Sequence, residues 1–214
     1  HLRDDRFGRH RFRGRRRTRI PRLAASLILA ALIAFTAWQW SHAGMIQAKA
    51  WLAPILISRA WTETRTHGIN VKPWPWADTW PVARLRVPRH DIDLFVLWGA
   101  TGNALAFGPG YEVASAMPGE AGVTLIGGHR DTHFEFLQYL QLNTLLSLQL
   151  PSGEELYYRV SKTRIVDTDT HPRPQLVGSE NTLLLVTCFP FNTLESGGPL
   201  RYVVSAKPIA SAMV

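Results

Sequence analysis

The rhythm of apolar and polar positions changes repeatedly along the chain. Residues 23–40, LAASLILAALIAFTAWQW, carry no charge over 18 positions. As a helix this run would rise about 27 Å, close to the hydrocarbon thickness of a bilayer. Ile46, Ala50, Ala53, Ile57, Trp61 and Thr64 then recur at helical spacing, with Lys49, Arg59 and Glu63 off that stripe. The pattern predicts an amphipathic helix, kinked near Pro54. The segment KPWPWADTWP at 72–81 breaks any periodicity, because closely spaced prolines forbid regular structure. Beyond it the rhythm shortens to β-type runs at 83–87, 93–97, 123–126, 145–150, 156–161, 164–166, 182–187 and 202–206. Pro151-Ser152-Gly153 and Gly197-Gly198-Pro199 punctuate them as turns. Short strands so punctuated indicate a barrel or sandwich. Residues 134–140 are the clearest short helix, and no repeat of solenoid or propeller period is present.

These patterns divide the 214 residues into a basic tail (1–22), an apolar span (23–40), a helical and Pro/Trp-rich connector (41–81), a globular domain (82–208) and a short C-terminal tail (209–214). Composition is 46% hydrophobic and 19% charged, which excludes a largely disordered chain. The net charge of +8 suggests nucleic acid until it is located. Ten arginines against Asp4 and Asp5 in residues 1–22 account for all of it, and the remainder is neutral. A neutral body argues against nucleic-acid binding, which draws its affinity from phosphate neutralisation. Arginines before residue 23, with Trp38 and Trp40 at the far end of the run, predict a single-pass anchor in the cytoplasmic membrane. The N-terminus would then be cytoplasmic and the domain outside the cytoplasm. The competing expectation is a cleaved signal peptide, but the run exceeds the usual apolar core of about 7–15 residues. Seven of the eight tryptophans lie between residues 38 and 80, as expected of interfacial anchoring, an arm packed on the domain, or a carbohydrate-stacking platform.

One cysteine rules out an internal disulfide and a cysteine-built zinc site. Cys188 follows the core-type run 182–187 and precedes Phe189-Pro190, where the missing proline N–H stops the ladder. A thiol at such a strand end is either a small buried hydrophobe or a nucleophile activated by a positive neighbour. His129 lies in Gly127-Gly128-His129-Arg130-Asp131-Thr132-His133-Phe134, just past the apolar run 123–126. Adjacent strands could therefore bring it to the thiol as a base. Arg201 opens the last strand after Gly197-Gly198-Pro199-Leu200 and could donate to an oxyanion, or be an ordinary strand-edge arginine. His129-Arg130-Asp131 also reads like a kinase catalytic loop, but Phe136 stands where its asparagine belongs. His129 and His133, four apart, are a rival pair of zinc ligands, without the glutamate of the metalloprotease motif.

Taken together, the order His…Thr-Cys…Arg on a short-stranded β domain behind an N-in anchor resembles the sortases, cysteine transpeptidases of bacterial surfaces. Leu184-Leu185-Val186-Thr187-Cys188 departs from that family's Thr-Leu-x-Thr-Cys signature at its first position. The segment around His129, with Gly-Gly-Pro-Leu-Arg-Tyr at 197–202, looks most like the class D-type sortases of Gram-negative bacteria. The resemblance implies a mainly β fold, an eight-stranded sortase barrel with short helices. It implies Cys188 as nucleophile, His129 as proton donor and acceptor, and Arg201 as oxyanion stabiliser. It implies an exported client with a short sorting motif and an amine acceptor as partners, the lipid bilayer through residues 23–40, and no nucleic acid. It calls for no cofactor and no metal; Asp167, Asp169 and Glu180 are too scattered for a calcium site. Two other classes stand beside it: a zinc-dependent hydrolase built on His129 and His133, and a membrane-anchored binding protein with an inert core cysteine.

Overall fold

The computed structural model describes residues 22–170, 181–193 and 197–209, without the side chains at 22, 23, 25 and 41–50. The expected basic tail, the C-terminal tail, Glu180 and the stripe positions Ile46 and Ala50 fall wholly or largely outside them. Eight strands form a closed barrel: β1 (Pro81–Val87), β2 (Ile92–Trp98), β3 (Gly110–Tyr111), β4 (Val123–Gly127), β5 (Leu145–Gln149), β6 (Glu155–Asp167), β7 (Thr182–Cys188) and β8 (Leu200–Ile209). Their order around the barrel is β1-β2-β3-β4-β7-β8-β6-β5. The mainly β barrel with few short helices is the expected class of fold.

Alternation builds the wall. Leu85 and Val87 on β1, Leu146 and Leu148 on β5, Leu183 and Leu185 on β7, and Val204 and Ala206 on β8 are all fully buried. Residues two apart on a strand share a face, so these positions fill the interior and their neighbours point out. Burying each large side chain is worth about 1.5–3 kcal/mol.

Three local expectations differ from the structure. The runs 156–161 and 164–166 are one thirteen-residue strand, β6, whose pairing with β8 slips between Val160 and Lys162. A bulge there lets one long strand bend where the sequence suggests a break. The two-residue strand β3 has no apolar run to announce it. It exists because Gly110 lets the backbone pass against Gly99 and Ala100, which a Cβ would strike. The expected helix at 134–140 is a 3₁₀ helix, Glu135–Tyr139, held by buried Phe134, Phe136 and Leu137.

Helix α1 runs from Arg22 to His67 with Pro54 inside it. From Ala48 onward the helix belongs to the compact unit that holds the barrel. There Ala53, Ile57, Trp61 and Thr64 are buried, as the helical stripe predicts, with Ala60 beside them, and Ile57 packs with Leu97 and Ala104. Arg59 and Glu63, off the stripe, form an ion pair at 2.9 Å. A short helix, α2 (Gly102–Leu105), makes the crossover between parallel strands β2 and β3. Among the described residues no helix is long and apolar enough to cross a membrane; of the run 23–40, the side chains at 23 and 25 are outside them.

Candidate active site

Two strand pairings bring the three singled-out residues to one rim. β4 and β7 run parallel, with Gly127 opposite Val186. Two residues further, the chains reach His129 and Cys188. Parallel strands end at the same edge, so the residues that follow each stay neighbours. The Gly128 N–H extends the ladder by donating to the Val186 carbonyl at 3.1 Å. On the other side of β7, antiparallel β8 sets Arg201 directly opposite Cys188. Directly opposed residues share a face, with Cβ atoms about 4.5–5.5 Å apart. By alternation that face is the outer one, since Leu185 and Thr187 point inward and are buried. Cys188 is thus the last residue of β7, half-buried, and not part of the sealed core.

The loop carrying His129 is held at several points. Thr187, 2% exposed, donates its hydroxyl to the Gly128 carbonyl at 2.7 Å. The Gly128 peptide is therefore fixed on both sides by β7. Glycine is required there: a Cβ would come within 2.7 Å of the Phe134 ring. The Phe134 N–H closes the loop by donating to the His129 carbonyl at 2.9 Å. Arg130 reaches the Thr193 carbonyl at 3.1 Å and ties this loop to the one after β7. The sequence marked Thr187 only as a signature position; its adjacency to the cysteine was the available sign of its role.

The side chains differ in what they bind. The His129 imidazole is exposed and the Cys188 thiol half-buried. One Arg201 nitrogen, Nη1, donates to the carbonyls of Gly198 at 2.6 Å and Leu200 at 2.9 Å. The remaining guanidinium donors find no acceptor among the described residues. His133 has a pKa below the ordinary histidine value, first because it is desolvated and second because of the charge on nearby His129. Among the described residues no group of three or more His, Cys, Asp or Glu side chains could hold a metal ion. Phe189, Phe191 and Tyr202 pack beside the thiol's strand end, with Phe189 stacked on Tyr202 at 6.4 Å and Phe191 edge-on to it at 5.3 Å.

A family model described as the sortase domain matches residues 85–209. The chain belongs to the sortase family. Sortase D of Bacillus subtilis (strain 168) is 33% identical over 125 residues, 58% of this chain and 62% of that protein. The chain therefore spans about three fifths of this relative's length. Its likeness to a sortase D agrees with the class expected from the motifs. Sortase A from Corynebacterium diphtheriae superposes with a TM-score of 0.53 at 24% identity, covering 63% of each chain. A Clostridium perfringens Sortase D5 transpeptidase does so with a TM-score of 0.58 at 20% identity, covering 74% of this chain and 99% of that one. These likenesses establish the sortase barrel as the fold. Within it the sortase-type order of histidine, cysteine and arginine falls on the ends of β4, β7 and β8.

Proposed function

We propose that this sortase is a cysteine transpeptidase acting on exported proteins. The observation that supports the reading is the register: β8 sets Arg201 opposite Cys188, and β4, parallel to β7, ends two residues before His129. The Cys188 thiolate attacks the carbonyl carbon of a scissile peptide bond in a client's sorting motif. Arg201 donates to the oxygen that becomes negative, and His129 protonates the departing amine. The products of this half are a thioacyl-enzyme and a released peptide fragment. In the second half an acceptor amine attacks the thioester, His129 takes its proton, and the Cys188 thiolate leaves. Client and acceptor are then joined by a new amide bond. Water in place of the amine would make the enzyme a peptidase.

The proposed setting is the cytoplasmic membrane of a Gram-negative cell, with the catalytic domain on the outer side. It is supported by the uncharged run 23–40, by the arginines before it, and by the exposure of Leu27, Ile28, Leu32, Ile33, Phe35 and Trp38. A reporter fused after Val214 should behave as exported; activity of a cytoplasm-dependent reporter would overturn the anchor. The decisive test of the chemistry is to isolate acyl adducts on Cys188 and sequence the attached peptide. No adduct, together with a thiol that resists iodoacetamide until the domain unfolds, would remove the transpeptidase reading.

A further inference from the structure

The Pro- and Trp-rich run takes no part in the rim formed by β4, β7 and β8. Two of its tryptophans are used in packing. Trp80 stacks on Trp98 with ring centroids 4.9 Å apart, and Trp74 meets Phe107 edge-on at 5.1 Å. Trp76 is different: it remains 82% exposed. Trp74, Trp76 and Phe107 line a cavity of about 430 Å³, together with Leu52 and Leu56 of α1. That volume lies within the range of about 300–1,000 Å³ usual for small-molecule sites. Asp78 is the one ionisable residue lining it, and Asn103 is its polar neighbour. The Asn103 amide donates to Asp78 Oδ2 at 3.1 Å.

We propose that this cavity binds an organic cation of the quaternary ammonium class. The carboxylate supplies the matching charge, and the three aromatic rings supply the surfaces that attract a cation. A quaternary nitrogen carries no N–H, so the aliphatic walls of Leu52 and Leu56 leave it no unsatisfied donor. Of the lining side chains only Asp78 and Asn103 offer acceptors to a primary ammonium, whereas the aromatic and aliphatic remainder suits a methylated one. An uncharged alkyl chain would fill the apolar walls but gain nothing from the exposed Asp78 carboxylate. The volume also leaves room for a short chain behind the head group.

The test is calorimetric titration of the full chain with tetramethylammonium, with choline, and with the uncharged tert-butyl analogue of choline. Both cations should bind, and the uncharged analogue at least about tenfold more weakly. Trp76→Ala and Asp78→Asn should each weaken cation binding by about two- to fivefold, the scale of a solvent-exposed cation–aromatic contact. Neither should change the rate of Cys188 alkylation, which separates this cavity from the proposed reaction. Free phosphocholine and vesicles of phosphocholine lipid distinguish a soluble ligand from a lipid head group. Because the run 23–40 is itself proposed to enter lipid, the vesicle arm supports the site only where binding is weakened in Trp76→Ala and Asp78→Asn, and vesicle binding that is unchanged in both counts against it. Equal binding of the uncharged analogue would reduce the cavity to an apolar groove and overturn the proposal. So would glucose binding in place of the cations, no cation binding, or full affinity in Asp78→Asn.

Discussion

Two outer faces of the same barrel differ in where their polar groups find partners. On the β1, β2 and β5 side the charges satisfy one another. Arg84 grips Asp93 through two hydrogen bonds of 2.6 Å, and lies 5.3 Å from the Phe95 ring. Glu155 accepts from Arg86 at 3.1 Å and from Ser147 at 2.8 Å. The Arg84 pKa is raised, first by the hydrogen bond from its side chain to Asp93. On the β4, β7 and β8 side, Val123, Leu184 and Val203 form an apolar cluster, with Leu125, Val166 and Val186 beside it. That cluster ends at the rim with a thiol, an imidazole and a guanidinium, the last tied to the backbone carbonyls of Gly198 and Leu200. A face whose charges are mutually satisfied is a wall. A face that holds reactive groups by their backbone, and leaves their side-chain atoms available, is suited to chemistry.

The comparison breaks most sharply at the thiol. Cys188→Ala should reduce transpeptidation to background while the domain keeps its melting temperature, because the side chain lies outside the sealed core. His129→Ala should cost about 10²–10⁴-fold, the usual worth of a general acid–base, and His133→Ala far less. A Cys188→Ala variant that unfolds would return the cysteine to a packing role. Equal loss at both histidines, together with bound zinc, would favour the metal hydrolase.

Arg201→Lys keeps the charge but loses the planar fork of donors. Turnover should fall about 10²–10³-fold, with a smaller change in KM. A change confined to KM would make Arg201 a clamp on the client peptide instead of an oxyanion donor.

Thr187→Val removes the hydroxyl that holds the Gly128 carbonyl and leaves that part-buried acceptor without its donor. The cost should be about 1–3 kcal/mol, read in stability and in turnover, and Thr187→Ser should recover most of it. Serine performing no better than valine would mean that the contact with Gly128 does not position His129.

The lowered pKa of His133 predicts a pH effect of definite sign. The folded state binds this proton less readily than the unfolded state, whose histidine titrates near about 6.5. Its contribution to stability is therefore full above that pH and is lost progressively as pH falls from there through the lower value of the folded state. Thermal melts should show a shallower acid limb for His133→Asn than for the unsubstituted chain. Identical limbs would assign the acid sensitivity to other groups.

The smallest effect belongs to the wall. Both Arg84 and Asp93 side chains are partly exposed, 30% and 46%, so solvent screens their attraction. Arg84→Met should cost only about 0.2–1 kcal/mol by denaturant melt and leave transpeptidation unchanged. A large loss of activity would erase the distinction between the two faces.

Much of the barrel was legible as alternation. The runs at 83–87, 123–126 and 182–187 are strands because apolar side chains on alternate positions need a common interior. The stripe from Ala53 to Thr64 likewise reads as one buried helical face. Gly110–Tyr111 was not legible, because a two-residue strand has no period and depends on a backbone that comes near only after folding. The break expected before Arg164 was a misreading of a bulge, which leaves no mark in apolar patterning.

The site divides along the same line. Cys188 at the end of an apolar run, His129 after two glycines and Arg201 after a Gly-Gly-Pro turn are properties of short local segments. The sequence by itself determined that each would emerge at a strand end, because the apolar run stops there. It also carried the sortase signature. Only the tertiary structure decided that the three ends share one rim. Fifty-nine positions separate His129 from Cys188, and their meeting depends on β4 and β7 pairing in parallel with Gly127 opposite Val186. Strand partner and register are set by long-range packing inside the barrel, and a one-residue slip would turn Cys188 to the opposite face.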